Sequence, residues 1–404
     1  MKITIPFKAF FAGSIAAFIG FASSFAILIQ GLGNVGANKA EIASGLMMVS
    51  VSMGLCAIFL GLKYRMPIST AWSTPGAAFL VTLTPLEGGF SAAVGAFIIS
   101  AILIILTGLW KPLGRVISAI PNSLASAMLA GVLLPLCLAP FEAMMQLPLL
   151  GFPVVLTWVI MSRFSRLFAV PVALLVACIL ILRTTDFNHF TNDIIWSLPV
   201  FIEPSFTLSA LFGIAIPLYI ITMASQNITG ITVLSSYGYK PSPGRIFSWT
   251  GVFSLLCAPF GSHAVNLAAI TAAICANEDA HPDPKKRFWA SNTCGVVHVF
   301  FGLTSAVAVA FISISPPIII SAVAGLALFG AMSSSLSSAM SDTDNRESAL
   351  ITFLVSVSSI SFFGISGAFW GLVAGSVMYL INNRKKAKEK TSIIFNQTTD
   401  REVS

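Results

Sequence analysis

Apolar stretches separated by short polar connections run along almost the whole chain. A helix that crosses the hydrocarbon core of a bilayer needs about 20 predominantly apolar residues. On that criterion, charges, prolines and polar clusters divide the sequence into fourteen predicted transmembrane spans. The spans cover roughly residues 9–30, 42–62, 67–86, 90–110, 117–138, 146–162, 167–182, 206–227, 245–260, 262–276, 292–313, 316–335, 347–363 and 366–382. This pattern predicts an all-α polytopic membrane protein.

Composition agrees with that class. The 404 residues are 56% hydrophobic and only 9% charged, and their mean hydropathy is +0.91. Because soluble domains carry about 25% charged residues, the composition excludes an ordinary soluble fold. The six cysteines are scattered singly in or beside apolar stretches, so they indicate neither disulfides nor a zinc site. The sequence therefore predicts no metal and no cofactor.

The basic residues predict the orientation of the spans, because lysine and arginine are retained on the cytoplasmic side of a membrane. If the N-terminus is cytoplasmic, all of the 22 basic residues except Lys39 and Arg183 fall on that side. The basic run at 285–287 then acts as a topological anchor, and a nucleic-acid site is not indicated. We therefore expect a multi-pass protein of the cell inner membrane with both termini in the cytoplasm.

The polar connection 183–204 divides the spans into two groups of seven. An odd number of spans in each group means that the second group enters the membrane from the opposite side. The sequence therefore predicts two inverted repeats, at 8–183 and 205–382, followed by a cytoplasmic tail at 383–404.

The third span of each repeat is interrupted. Span 3 reads "PISTAWSTPGAAFLVTLTP", and span 10 is the short stretch "SHAVNLAAITAAICA". We expect residues 68–73 to be extended, with Thr74 as the N-cap of a half-helix and Pro75 at its first position. In span 10 we expect residues 260–265 to be extended and Asn266 to cap a half-helix that ends at residue 276. Interrupted segments at matching places in two repeats indicate a transporter site.

These two half-helices predict the charge of the substrate. Inverted repeats bring their N-termini toward the midplane from opposite faces, and each N-terminus offers unpaired N–H groups and partial positive charge. All 15 aspartates and glutamates fall in predicted loops, tails or span ends. The absence of a central carboxylate favours an anionic substrate, because a cation site would require one.

His263 is the candidate for proton coupling, since it is the titratable side chain at this site with a reference pKa near physiological pH. A histidine that only hydrogen-bonds between helices is the alternative. The other candidate substrate ligands are Ser24, Ser73, Thr74, Gly76, Gln226, Asn227 and Asn266. Helix capping and interhelical hydrogen bonds are the competing interpretations of these residues.

The stretches "MPISTAWSTPGAAFL" (66–80) and "FGSHAVNLAAITAAICANEDAHPDPKKR" (260–287) resemble signature segments of the benzoate:proton symporter family. The resemblance extends over about residues 8–382. It implies the seven-plus-seven inverted-repeat fold of nucleobase and sulfate-type anion transporters, which often form dimers. It also implies a core domain at 8–113 and 205–313 and a gate domain at 114–183 and 316–382.

The resemblance also concerns two site positions. Glutamates on spans 8 and 10 bind the base in the nucleobase relatives, and Gln226 and His263 stand at those positions here. We therefore expect a secondary active transporter that imports benzoate or a similar aromatic carboxylate with a proton. A passive channel, a transporter of another small anion or of a nucleobase-like solute, and a membrane-embedded enzyme are the alternatives. The enzyme is disfavoured because no acid–base or metal constellation lies at membrane depth.

Overall fold

The computed structural model describes residues 6–110, 112, 120–184, 198–358, 360, 362 and 365–383. Residues 185–197 of the polar connection and residues 384–404 of the predicted tail lie outside the described residues. Helices dominate the described chain, together with two short strands. The protein is thus a predominantly helical membrane protein, as its apolar pattern predicts.

The elements of the first half occupy the positions of its predicted spans. They are α1 (Phe7–Ala22), α2 (Phe25–Asn34), α3 (Lys39–Tyr64), β1 (Thr70–Trp72), α4 (Thr74–Val81), α5 (Gly89–Leu109), α6 (Asn122–Gln146), α7 (Pro148–Phe164) and α8 (Arg166–Thr184). The predicted span 9–30 matches the candidate span Phe7–Asn34, but that span contains a break between Ala22 and Phe25 that the sequence did not predict.

The second half repeats this order of long helices around a short strand and a short helix. Its elements are α9 (Leu208–Ser236), α10 (Pro243–Cys257), β2 (Val265–Leu267), α11 (Ile270–Ala276), α12 (Phe288–Leu303), α13 (Ser305–Ile314), α14 (Pro317–Ser341), α15 (Arg346–Val357) and α16 (367–383). Helix α9 contains two π-helical stretches, Leu211–Ala215 and Met223–Asn227. Such stretches are rare and are found frequently at functional sites.

Length and hydropathy identify seven helices in the described residues that could each cross a membrane. The pair α12 and α13, bent by 56° at its break, raises the number to eight if it forms one span. The remaining elements are too short for that test. The predicted total of fourteen spans therefore stays a prediction.

Local sequence explains several helix ends. Asn38 caps α3, since its side chain accepts hydrogen bonds from Ala40 N and Glu41 N at 3.0 Å, while Glu41 accepts one from Asn38 N at 2.8 Å. This reciprocal pair satisfies amides that otherwise lack a partner at a helix start. The same helix ends at Arg65, which adopts a left-handed conformation with φ 52°.

The helices pack in two groups. In one group α12 packs against α1 and α3, and α5 packs against α10. Helices α3 and α12 meet through glycines, since a Cβ on Gly54 would lie 2.4 Å from the carbonyl oxygen of Gly295. Small residues at such crossings let helix backbones approach closely. In the other group α6 packs against α14 and α15, and α7 packs against α8.

Candidate functional site

The two strands bring the two halves of the chain together. β1 and β2 pair antiparallel, with Ala71 opposite Asn266. The pairing continues at both ends, because Ser73 N donates to Ala264 O and Ala268 N donates to Ser69 O, both at 3.0 Å. Extended backbone at membrane depth is stable only where protein or a watery cavity surrounds it. Every residue of β2 is buried, which meets that requirement.

Ser73, not Thr74, caps α4, so the predicted helix start is wrong by one residue. The Ser73 hydroxyl accepts a hydrogen bond from Gly76 N at 3.1 Å, while Thr74 is already helical and Pro75 takes the second position. Proline is tolerated there because the first amides of a helix have no partner within it. Thr222 of α9 donates to the same hydroxyl at 2.9 Å.

Gly76 permits the close approach of α4 to α9. A Cβ at this position would lie 2.6 Å from Leu218 Cδ1 and 2.7 Å from Ser73 Oγ. Both distances are well inside van der Waals contact, so a larger side chain would force the two helices apart. Gly76 thus has a packing role, whether or not it also contacts a substrate.

Asn266 lies in β2 and does not cap α11, so this prediction is wrong as well. The helix begins at Ile270, and its N-cap residue Ala269 makes no side-chain hydrogen bond. The Asn266 carboxamide instead bonds to the strand backbone. Oriented to satisfy its neighbours, it donates to Ala71 O at 3.2 Å and accepts from Ser73 N at 3.1 Å. Because it pairs with β1, the extended segment continues to Leu267, beyond the residue 265 that the local sequence predicts.

His263 is buried, with 1% of its surface exposed. Its Nε2 donates to the carbonyl oxygen of Ser73 at 3.0 Å, and its ring lies edge-on to Phe97 of α5 at 6.4 Å. With the proton on Nε2, a neutral imidazole leaves Nδ1 as an acceptor. This Nδ1 has no hydrogen-bond partner among the described residues. The side chain therefore joins the two strand segments inside the protein and does not face an open surface.

Gln226 and Asn227 lie in the second π-helical stretch of α9 and face different surroundings. Asn227 is fully buried, and its Oδ1 accepts a hydrogen bond from Leu267 N at 3.0 Å. Gln226 is half-buried, and its carboxamide has no hydrogen-bond partner in the described part of the chain. Asn227 therefore holds β2 in place, while Gln226 keeps its donors and acceptor free.

Ser24 stands at the break between α1 and α2 and is linked to β1. Its hydroxyl accepts a hydrogen bond from the indole Nε1 of Trp72 at 3.0 Å and donates to Gly20 O at 3.0 Å. Phe21 lies 5.4 Å from both Trp72 and Phe25, measured between ring centroids. The sequence interpretation did not include Trp72, although a tryptophan between two polar runs was a visible signal.

None of the side chains described above around the paired strands is acidic. No cluster of histidine, cysteine, aspartate or glutamate in the described ranges has the geometry to hold a metal ion. The polar atoms offered are hydroxyls, amides, one imidazole and backbone groups. Such a set suits a neutral or anionic ligand.

Comparison with known proteins identifies the family. The family described as "Benzoate membrane transport protein" matches residues 4–381 of this chain. The chain belongs to the benzoate membrane transport protein family. The resemblance seen in residues 66–80 and 260–287 is thereby confirmed, and the family consists of membrane transporters.

Two curated relatives match almost end to end. The chain is 37% identical to inner membrane protein YdcO of Escherichia coli over 94% of its own length and 97% of that protein. It is 33% identical to the benzoate membrane transport protein of Acinetobacter baylyi, over 93% of its own length and 95% of that protein. Both relatives therefore match this chain over nearly its whole length.

Solved structures of anion transporters share the fold of this family member. Murine Slc26a9 in the inward-facing state superposes with a TM-score of 0.65 at 12% identity, covering 96% of this chain and 69% of Slc26a9. The transmembrane domain of the cyanobacterial bicarbonate transporter BicA gives a TM-score of 0.57 at 15% identity, covering 92% of this chain and 97% of that domain. The chain thus has the fold of these transporters, and the seven-plus-seven arrangement of its spans stays a prediction.

Proposed function

We propose that this protein is a secondary active transporter that carries benzoate or a similar aromatic carboxylate, together with a proton, across the inner membrane into the cell. The observation that carries the proposal is the paired β1–β2 unit, which gathers polar groups without a carboxylate in a chain of the benzoate transport family. An anion is stabilised by amides, hydroxyls and helix starts, whereas a glutamate in the same place would repel it.

The substrate carboxylate would lie beside the start of α4 and the free carboxamide of Gln226. Thr74 is only partly buried and is the first residue of α4. Its N–H would be the donor offered to the substrate, because Pro75 has no N–H and Gly76 N and Ala77 N already donate to Ser73. Ser73, Asn227, Asn266 and Ser24 would act mainly by holding the strands and helices in position, because each already has a hydrogen-bond partner within the protein. The aromatic ring of the substrate would pack near Phe21.

Transport requires movement between two parts of the protein. The group built on α3, α5, α10 and α12 agrees with the proposed core domain at 8–113 and 205–313. The group built on α6, α7, α8, α14 and α15 agrees with the proposed gate domain at 114–183 and 316–382. Movement of core against gate would expose the site to each side of the membrane in turn, within fourteen spans of two inverted repeats. Cytoplasmic termini and a homodimer complete this proposal.

His263 is the proposed proton carrier. Its buried Nδ1 has no partner among the described residues and is the atom that would take the proton. Protonation at that atom would place a positive charge beside the strand that carries Ser73. Because a buried charge is costly without compensation, binding of the anionic substrate would favour protonation. This coupling between anion and proton is what a symporter requires.

Uptake of radiolabelled benzoate into proteoliposomes tests the proposal. An inward proton gradient should drive accumulation that saturates, that other aromatic acids inhibit and that a protonophore abolishes. Protein-free liposomes and proteoliposomes without a gradient are the controls. Flux that does not saturate and ignores the gradient would instead indicate a channel. Absence of both uptake and competition by any aromatic acid would reject the proposal.

A further inference from the structure

Arg287 lies directly before α12 and is buried, with 5% of its surface exposed. Among the described residues it is the only aspartate, glutamate, lysine or arginine in the buried class. A buried charge is costly unless hydrogen bonds compensate it. The position of this side chain therefore calls for a structural or functional reason beyond the retention of basic residues in cytoplasmic loops.

All three acceptors of the Arg287 guanidinium are backbone carbonyls. Its Nη1 donates to Ala276 O at 2.8 Å, its Nε to His281 O at 2.7 Å and its Nη2 to Pro282 O at 3.4 Å. Ala276 is the last residue of α11, where carbonyls lack partners within the helix and the helix dipole is negative. The guanidinium thus caps the C-terminal end of the short helix whose other end adjoins β2.

The loop that Arg287 holds is also fixed to α9. The hydroxyl of Tyr239, just beyond the end of α9, donates to Pro284 O at 2.9 Å. Burial raises the pKa of Tyr239, so the hydroxyl keeps its proton and remains a donor at neutral pH. Within the loop, Asp283 N donates to the His281 ring at 2.9 Å and Asp283 accepts from Lys285 N at 2.9 Å. The residues between α11 and α12 therefore form one bonded unit.

Helix α11 has no comparable support at its start. Its N-cap residue makes no side-chain hydrogen bond, and Ile270 is 66% exposed. A seven-residue helix is too short to be stable alone. Helix α11 packs sideways against α1, α9 and α12, and the contacts at its two ends add to that packing. One end is joined to β2, which Asn227 holds, and the other end is held by Arg287.

We propose that Arg287 is a positioning residue for transport: by binding the carbonyl end of α11, in the loop that Tyr239 joins to the end of α9, it fixes α11 and β2 against α9, which carries Gln226 of the proposed substrate site. The inference rests on the proposed function, because it assigns a role in forming the same substrate site. Arg287 itself does not contact the substrate in this proposal.

Amide hydrogen exchange on the purified full-length protein tests the structural part. Arg287→Gln should accelerate exchange in residues 270–282 by about ten-fold or more, since hydrogen bonds to a charged group are lost. Lys286→Gln is the matched control, because it removes one positive charge from the same loop at an exposed position. Its exchange should equal that of the wild type. Equal exchange in the Arg287 and Lys286 variants would overturn the inference.

Benzoate uptake tests the functional part. Arg287→Gln should raise the KM for uptake about ten-fold with a maximal rate within about two-fold of the wild type, the pattern expected when substrate binding is lost uniformly. Arg287→Lys keeps the charge but not the branched donor set, and its KM should lie between those of the wild type and of Arg287→Gln. A wild-type KM in both variants would contradict positioning through Arg287.

A third variant covers the case in which Arg287→Gln does not fold. Millimolar guanidinium ion should restore slow exchange in residues 270–282 of Arg287→Ala, because the ion can donate to the same carbonyls. Restoration by guanidinium but not by sodium supports the inference, and no difference between the two ions opposes it. Hydrogen exchange needs no substrate. If the variants differ in exchange as expected but the wild-type protein transports no aromatic acid, only the proposed function is rejected.

Discussion

The two strand–helix segments, 68–81 and 263–276, are counterparts in the two halves, but different residues hold them in place. The first contains its own supports: Ser73 caps α4, and residues 75–80 of that helix are all buried. The second has no side-chain cap, and its helix starts with the exposed Ile270. It is held by Asn227 and Arg287, which lie outside the segment.

This difference separates a fixed half of the site from an adjustable half. Helix α4 has its cap inside its own segment and packs closely against α2, so we expect its position to change little when other helices move. Helix α11 depends on contacts with α9 and with the loop before α12, so changes in those elements can reach it directly. The coupling proton, which we place on His263 of the second segment, should therefore act mainly through that segment.

The largest effect is expected where the two segments share one side chain. His263→Gln keeps an N–H that can donate to Ser73 O but removes the group that can be protonated. We expect the variant to lose accumulation driven by a proton gradient while it still exchanges labelled for unlabelled benzoate. Proteoliposome uptake and counterflow, measured on the same preparation, check this.

His298→Gln is the matched control for that experiment, since His298 is also a buried histidine but lies in α12, outside both segments. It should retain gradient-driven accumulation. Normal accumulation by His263→Gln would show that the coupling proton binds elsewhere and that His263 only joins the strands.

Asn227→Ala should give the largest loss of stability, because it removes the acceptor of a buried amide. The N–H of Leu267 would remain unpaired, at a cost of about 1–3 kcal/mol. The midpoint of thermal unfolding in detergent measures this loss. Ser225→Ala is the control, since that hydroxyl bonds to Ile221 O within its own helix. An equal, small shift in both variants would mean that α9 does not hold β2.

Ser73→Ala should destabilise the first segment less. Loss of an N-cap hydroxyl costs about 1 kcal/mol, and the effect should be local to α4, which Ser73 caps. Thr82→Ala, at the other end of the same helix, is the control, because its hydroxyl bonds to Phe79 O within one turn. Exchange of the α4 amides should rise in the first variant only. A rise in the α11 amides of the same variant would contradict the independence of the two segments.

Periodicity and composition located most helices well, because long apolar runs bounded by charges determine where a helix enters and leaves a membrane. Helix α14, for example, spans Pro317–Ser341 where the sequence predicts 316–335. The break at Ser24 was missed, since two serines within an apolar run are compatible with a continuous helix. The bond from Trp72 that accompanies the break comes from a residue distant in the sequence.

The structure pairs the two segments that the sequence singles out, but it differs from the sequence prediction in where the helices of these segments begin. Pro75 and the polar residues near His263 are local signals, and they were enough to predict the two extended segments. The sequence prediction placed the start of α11 at Asn266 because asparagine is a common cap, whereas pairing with β1 extends the strand to Leu267. The burial of His263 was also beyond local sequence, since it follows from packing against Phe97 of α5.

The smallest effect is expected at Thr222, which connects α9 to the first segment as Asn227 connects it to the second. Thr222→Val removes the donor to Ser73 but preserves the shape of the side chain, so the loss should be about 0.5–1 kcal/mol. Thr250→Val, another fully buried threonine whose bond to Phe247 O stays within its helix, is the control for unfolding midpoints. Because Ser73 keeps its bond to Gly76 N, the KM for benzoate should stay unchanged in Thr222→Val. A KM that rises as far as in Arg287→Gln would show instead that both segments respond to α9, and that the first is not fixed by its own cap.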